Sequence, residues 1–155
     1  MAFKVLLPQP IIDSGRQYLL DHGFEIVDGN GFTEDDIVRD IKGCDAMIVR
    51  TAKITRRIIE AADKLKVMAR HGAGFDGVDL EAAKGKGIML LYAPRANSES
   101  VAELAMFYML HCSRNFKLVQ KLYKDDYMTA KMKVEKHELN GRTLGLIGVG
   151  NIGGH

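Results

Sequence analysis

Five short apolar segments recur about every twenty residues in the first part of the chain, and they constrain the fold more than any other feature of the sequence. They are residues 5–7, 24–27, 46–49, 67–69 and 88–91. Apart from Glu25, these segments are continuously apolar rather than alternating, which is typical of strands in a parallel sheet that helices cover on both faces. The spacing leaves room for one helix between successive strands, as in βα units.

Helical patterns fill the intervals between these segments. Thr33 with Asp36, Thr55 and Asp79 stand where the N-caps of three helices are expected. We therefore predict an α/β fold with a flavodoxin-like, doubly wound parallel sheet. Ligands of such sheets bind at the carboxyl ends of the strands, so a site is expected in the loops that follow the first, third, fourth and fifth apolar segments.

Two of these loops carry residues suited to binding an anion. Arg50 follows the third segment, where a guanidinium can make a forked contact with a carboxylate or phosphate; the alternative is a solvated surface arginine. The loop 70–79 has three glycines within six residues, and its backbone amides can converge on an anion or simply form a tight turn. His71 in this loop is interpreted as a packed or surface residue rather than as an acid or base.

After Pro94 the chain is predicted to form one long helix, from about Ser98 to Tyr123. Ser100 and Glu103 have the spacing of a capping box at its start. Its first half is apolar on every side, owing above all to Met106, Phe107, Met109 and Leu110. A helix that is apolar all round is usually buried, so this one is expected to lie between domains or subunits.

The last thirteen residues join an apolar run to a glycine pattern. Residues 144–147 resemble a buried strand, and Gly148, Gly150 and Gly153 follow with the spacing of a turn that wraps a pyrophosphate at a helix N-terminus. Three glycines alone are equally compatible with an ordinary tight turn.

Composition places the chain among globular proteins. Hydrophobic residues make up 46% of it, enough for a core, and a formal net charge of +2 argues against a nucleic-acid or membrane-surface partner. No apolar stretch has the length of a transmembrane helix, and no metal site is expected. Cys44 and Cys112 lie far apart and are expected to be reduced thiols of a cytoplasmic protein.

Four motifs in this order resemble the NAD-dependent D-isomer-specific 2-hydroxyacid dehydrogenase family, and more particularly its phosphoglycerate dehydrogenase-like members. They are Ile-Val-Arg-Thr at 48–51, Gly-Ala-Gly-Phe-Asp-Gly-Val-Asp at 72–79, Asn-x-x-Ser-Val-Ala-Glu-Leu at 97–104, and Leu-Asn-Gly-Arg-Thr-Leu-Gly at 139–145 running into the glycine pattern. The resemblance covers the whole chain. Gly77 departs from the asparagine that is usual in the family, and Tyr127 from a common tryptophan.

The resemblance implies a role for each matched residue. Arg50 contacts the substrate, and the backbone amides of Ala73 and Gly74 hold its carboxylate, so a side chain at position 74 is expected to block both the turn and the ligand. Asn97 lies against the reacting centre, and Val101 lies against the nicotinamide. The residues implied to hold the pyrophosphate of the cofactor are Gly148, Gly150, Asn151, Ile152 and Gly153.

The resemblance also implies two domains and an activity. Residues 1–96 would be the N-terminal part of the substrate domain, and residues 97–155 an interdomain helix, a connector and the truncated start of a Rossmann domain. The implied enzyme is a cytoplasmic oxidoreductase that transfers hydride between NAD, or NADP, and C2 of a D-2-hydroxy or 2-oxo acid, and it dimerises through the helix 98–123.

No catalytic residue is assigned within the chain. The family's catalytic arginine, glutamate and histidine are expected downstream of the first Rossmann strand, so the 155-residue chain alone is expected to be inactive. The alternative, from a different class, is a non-catalytic module that binds a small carboxylate or dimerises.

Overall fold

The computed structural model describes residues 2–155, which form two compact units. The first unit ends at Ala96, and the second comprises Asn97–His155. The assignment of these units to a substrate domain and a nucleotide-binding domain remains a prediction.

The described part of the first unit contains one parallel sheet of five strands in the order β2-β1-β3-β4-β5. The strands are β1 Lys4–Leu7, β2 Glu25–Asp28, β3 Ala46–Val49, β4 Val67–Arg70 and β5 Met89–Tyr92. Each neighbouring pair is parallel. This order confirms the predicted flavodoxin-like α/β fold, and it puts the switch point of the sheet between β1 and β3.

Four helices connect the strands: α1 Asp13–Asp21, α2 Glu34–Asp40, α3 Arg56–Ala61 and α4 Leu80–Gly85. The three predicted N-caps are confirmed. The side chains of Thr33, Thr55 and Asp79 each accept a hydrogen bond from the backbone amide three residues later, which satisfies one of the amides left open at a helix start.

The largest cluster of buried side chains lies on one face of this sheet. Leu6, Met47 and Met68 stand side by side in register on β1, β3 and β4, and they join a cluster of buried residues that includes Ile37 of α2 and Ile58 of α3. All five side chains are fully buried. Since a buried Leu, Ile or Met contributes about 1.5–3 kcal/mol, this cluster is the main source of stability in the unit.

The opposite face is covered only in part. Leu90 of β5 packs against the core cluster, whereas its neighbours Met89 and Leu91 point the other way and are 61% and 51% exposed. The prediction of helices on both faces therefore holds for the centre of the sheet but not for β5. The physical reason is that the helix on that face, α1, packs beside β2 at the far edge.

The second unit contains α5 Ser98–Ser113, α6 Phe116–Tyr123 and α7 Tyr127–Met132. The prediction of one continuous helix from Ser98 to Tyr123 is wrong, because Asn115 takes a left-handed conformation with φ 49°. Asparagine adopts this conformation more readily than other residues with a side chain, and its Nδ2 donates to the Glu135 carbonyl at 3.0 Å.

Two further expectations for this unit are wrong. The helix α5 begins at Ser98, so Ser100 lies within its first turn and forms no capping box with Glu103; the N-cap is Asn97, whose side chain makes no capping bond. Residues 144–147 form no strand, and Ile147 is fully exposed. A strand needs a neighbour for its backbone hydrogen bonds, and residues 97–155 supply none.

Within the described residues, no helix is both long and apolar enough to cross a membrane, and no group of three potential metal ligands comes together. Both cysteines are free thiols. Burial raises the pKa of the Cys44 thiol above its ordinary value, which keeps it protonated. A cytoplasmic location stays a prediction.

Candidate functional site

The candidate site lies where the strands at the centre of the sheet end. Arg50 directly follows β3, and the loop 71–79 directly follows β4. β3 and β4 are hydrogen-bonded neighbours with Val49 beside Arg70, and the His71 amide extends their ladder by donating to the Val49 carbonyl at 2.8 Å. The fold therefore brings Arg50 and the glycine-rich loop to one edge of the sheet.

Arg50 is exposed, and one nitrogen of its guanidinium makes a hydrogen bond to the protein. Its Nη1 donates to the carbonyl oxygen of Pro10, in the loop after β1, at 2.7 Å. A guanidinium carries five N–H donors, so this bond leaves most of its donors for a ligand. The bond restrains the guanidinium of an exposed side chain, and its contact with a substrate stays a prediction.

The loop after β4 is held by backbone hydrogen bonds on both sides of Gly72. The Gly72 amide donates to the Arg70 carbonyl at 2.8 Å, and the Gly72 carbonyl accepts from the Ala93 amide at 3.1 Å. Among residues 2–155, no acceptor receives a hydrogen bond from the amides of Ala73 or Gly74. Two adjacent unpaired amides on a fixed loop can hold a carboxylate.

Gly72, rather than Gly74, is the position in this loop whose backbone conformation favours glycine. Gly72 has φ +152°, and a Cβ there would lie 2.6 Å from Nη1 of Arg70. A Cβ at Gly74 would meet only a carboxylate oxygen of Asp76 at 3.6 Å, an ordinary contact. The expectation that a side chain at position 74 blocks the turn is therefore wrong, and the turn depends on Gly72 instead.

Arg70 is a part of the site that sequence reasoning missed. Its Nη1 donates to the His71 carbonyl at 2.5 Å, so the guanidinium folds back over Gly72 and closes the turn. The signal in the sequence was the Arg-His-Gly order at the end of β4. Without a side chain at Gly72, there is room above it for a long one from a neighbour.

His71 is exposed at the edge of an apolar cavity of approximately 380 Å³. The cavity lies between α1 and the strands β3 and β4, and its lining includes Ile12, Tyr18, Ile48 and Ala69. This position agrees with the interpretation of His71 as a surface residue.

The remaining predicted site residues lie in the second unit. Asn97 is the exposed N-cap of α5, and Val101 is half-buried one turn later. The glycine pattern forms a turn in which the Gly154 amide donates to the Gly150 carbonyl at 3.0 Å. Asn151 and Ile152 belong to this turn and are exposed.

Two glycines of this turn occupy positions that a side chain would not tolerate. Gly148 has φ +91°, which a residue with a side chain rarely adopts. A Cβ at Gly153 would be 2.2 Å from the Gly148 carbonyl oxygen, so no side chain fits there. Gly150 has open space around its Cα, as close approach of a phosphate requires.

Comparison with known protein families gives a match over residues 5–144 to the model described as "D-isomer specific 2-hydroxyacid dehydrogenase, catalytic domain". D-3-phosphoglycerate dehydrogenase of Homo sapiens is 38% identical over 158 residues, covering 99% of this chain and 30% of that protein. Hydroxypyruvate reductase of Thermotoga maritima is 40% identical over 152 residues, covering 97% of this chain and 49% of that protein. The chain thus spans between about a third and a half of the length of these relatives.

Solved structures give a similar result. The NAD⁺-bound 3-phosphoglycerate dehydrogenase of Entamoeba histolytica superimposes with a TM-score of 0.79 at 28% identity, covering 99% of this chain and 49% of that one. The NAD-dependent formate dehydrogenase of Staphylococcus aureus, in complex with NAD, gives a TM-score of 0.80 at 26% identity, covering 97% of this chain and 50% of that one.

Proposed function

This chain belongs to the D-isomer specific 2-hydroxyacid dehydrogenase family, and from that premise we propose that it supplies substrate-carboxylate recognition and the beginning of the cofactor site to an NAD-dependent oxidoreductase. The proposed reaction transfers hydride between the cofactor and C2 of a small D-2-hydroxy or 2-oxo acid. The names of the relatives, a phosphoglycerate dehydrogenase and a hydroxypyruvate reductase, support this substrate class.

The observation that carries the proposal is the pair of unpaired amides at Ala73 and Gly74 beside the tethered Arg50. The two amides would donate hydrogen bonds to the carboxylate of the substrate. Arg50 would add a charge-assisted hydrogen bond to the same group. Together these groups would hold the acid at a fixed distance from the edge of the sheet, which orients C2 for reaction. The acid–base step is assigned to no residue of this chain.

The cofactor proposal rests on the second unit. Gly148 has a positive φ, Gly150 has open space around it, and Gly153 packs on the Gly148 carbonyl. These glycines, with Asn151 and Ile152, would hold the pyrophosphate. NAD supplies the hydride acceptor or donor when it is bound; NADP remains the alternative. Asn97 and Val101 are proposed to contact the substrate and the nicotinamide, respectively.

The test uses ¹H–¹⁵N NMR of the isolated chain titrated with pyruvate, and with neutral pyruvamide as the control ligand. We expect saturable shifts at the amides of Ala73 and Gly74 and at the Arg50 side chain with pyruvate only. Arg50→Ala should raise Kd about tenfold through loss of a charged hydrogen bond. Arg39→Ala, which removes an exposed arginine of α2, should not change it. Equal shifts with pyruvamide, or none at Ala73 and Gly74, would refute carboxylate recognition.

A second candidate function, dimerisation, is favoured by the surface of α5. Met106, Phe107 and Leu110 are each about half exposed, at 52%, 52% and 50%, on one helix of the second unit. Contiguous apolar surface of this kind marks interfaces. We propose that two copies associate through residues 98–123.

Sedimentation experiments test this proposal. Phe107→Glu should shift the chain to monomer, whereas Met132→Glu on α7 should not. A wild-type chain that is monomeric at high concentration would contradict dimerisation.

A further inference from the structure

The segment Pro8–Gln9–Pro10 joins β1 to α1, and its sequence makes it stiff. Proline fixes φ at two of its three positions, and a residue that precedes proline, here Gln9, is confined to extended conformations. The local sequence therefore restricts the backbone of Gln9 before any tertiary contact forms.

Gln9 binds the loop after β3 through three hydrogen bonds. Its Oε1 accepts from the backbone amides of Thr51 and Ala52 at 2.9 and 3.2 Å, and its Nε2 donates to Oγ1 of Thr51 at 2.8 Å. Arg50 returns the contact by donating to the Pro10 carbonyl at 2.7 Å. We call these four hydrogen bonds the 9–51 clamp.

The clamp is supported from its other side by Gly29, which follows β2. The Gly29 amide donates to the Leu7 carbonyl at 2.9 Å, and a Cβ on Gly29 would lie 2.8 Å from Cα of Pro8. Gly29 thus packs directly on the backbone of Pro8. The stiff segment lies between β2 on one side and the Arg50 loop on the other, and it has little room to shift.

We propose that Gln9 is a positioning residue for carboxylate binding, acting through Arg50. The inference rests on the proposed function, in which Arg50 contacts the substrate. A long arginine side chain at the end of a strand samples many rotamers, and each one that is lost on binding weakens affinity. The clamp restricts the backbone of Arg50 through Thr51 and Ala52, and it tethers the guanidinium through Pro10, before any ligand arrives.

The decisive experiment is a double-mutant cycle for pyruvate binding, read by the same NMR titration. Gln9→Met removes all three side-chain hydrogen bonds at nearly constant volume, and it should raise Kd about fivefold. In the Arg50→Ala background, the same change should leave Kd unchanged, because Gln9 acts only through Arg50. Gln17→Met is the matched control. Gln17 lies exposed on α1 and bonds only to Asp21 there, so its loss should not alter Kd.

Several outcomes would overturn the inference. If Gln9→Met raises Kd by the same factor with and without Arg50, Gln9 acts independently of the arginine. If Gln9→Met lowers the melting temperature but leaves Kd unchanged, its role is structural only. If Gln9→Met does not fold, Thr51→Val carries the test, since it removes one bond of the clamp and should raise Kd about twofold. Absence of saturable binding by the wild type refutes the proposed function, and the inference falls with it.

Discussion

The two units differ in where their apolar side chains lie. Apart from Ala130, all the buried apolar residues among residues 2–155 belong to the first unit. The second unit has three helices, yet Met106, Phe107 and Leu110 on α5 are about half exposed. Both units are rich in apolar residues, so composition does not explain the difference.

The difference lies in how each unit arranges its backbone. In the first unit, neighbouring parallel strands place apolar side chains side by side. These side chains form a continuous apolar surface that the helices cover. In the second, the helices satisfy their own backbone hydrogen bonds, and the apolar segment 144–147 has no strand beside it. Regular secondary structure therefore forms in both units, but a core forms only where a sheet provides the template.

The largest expected consequence is in hydrogen exchange. Amides of β3 and β4 should exchange only by global unfolding, whereas amides of residues 144–150 should exchange almost freely, a difference of about 5 kcal/mol or more. Mass-spectrometric or NMR exchange on the isolated chain measures it. Comparable protection in the two regions would mean that the second unit has a core of its own and would remove the contrast.

A matched pair of methionine substitutions tests the same contrast energetically. Met68 is fully buried in β4, and Met106 is half exposed on α5. Met68→Ala should lower the free energy of unfolding by about 3 kcal/mol, through lost transfer energy and a cavity. Met106→Ala should change it by less than about 0.5 kcal/mol. Urea unfolding followed by circular dichroism, at a concentration where the chain is monomeric, compares the two; equal effects would contradict the contrast.

Two glycines with positive φ sharpen the comparison further. Gly72→Ala forces an alanine to adopt φ +152° and displaces the Arg70 guanidinium, so it should destabilise the first unit by about 2 kcal/mol. A Cβ on Gly148 would meet nothing within 4 Å, so Gly148→Ala is strained only by its φ. Because this strain lies in the second unit, which has no core, Gly148→Ala should leave the melting temperature of the first unit unchanged. Thermal unfolding of both variants, with Gly74→Ala as the unstrained control, measures the difference.

The smallest expected effect is on pH dependence. The contact with Arg16 lowers the pKa of Asp28, and the bond from the Gly43 amide lowers the pKa of Asp63, both in the first unit. A carboxylate with a lowered folded pKa stabilises the fold above its unfolded pKa of about 3.9, and this stability is lost as pH falls through the folded value.

Stability of the first unit should therefore be level from pH 7 to about 5 and decline below about pH 4. Asp28→Asn should reduce this decline by less than about 1 kcal/mol, since the pair is largely exposed. Urea midpoints measured between pH 7 and pH 3 give the two curves. A decline that is as steep in the variant as in the wild type would show that the Asp28 contact contributes nothing.

The sequence predicted the sheet because its determinants are local. Continuous apolar segments, caps such as Thr33 and Asp79, and helical intervals each point to the same topology. The break at Asn115 was missed because an apolar pattern that continues across it hides the change in backbone. The strand expected at 144–147 failed because a strand depends on its neighbours, which periodicity within one segment does not report.

The site was predictable only in part for a similar reason. Arg50, Ala73 and Gly74 were identified by motif, and the fold places them at one edge of the sheet. Gln9 and Arg70 were missed because their roles arise from contacts with other loops or from packing over a glycine. Such roles depend on side-chain geometry, which residue spacing does not encode.

The strand order has a consequence for when the site can exist. Gln9 and Thr51 are 42 residues apart in the chain, and they meet only when β3 is paired with β1 at the centre of the sheet. No folding intermediate that lacks this central pairing can assemble the proposed anion-binding edge. A bound carboxylate would therefore act as a selective stabiliser of the completed sheet, and the midpoint of its unfolding should rise with ligand concentration.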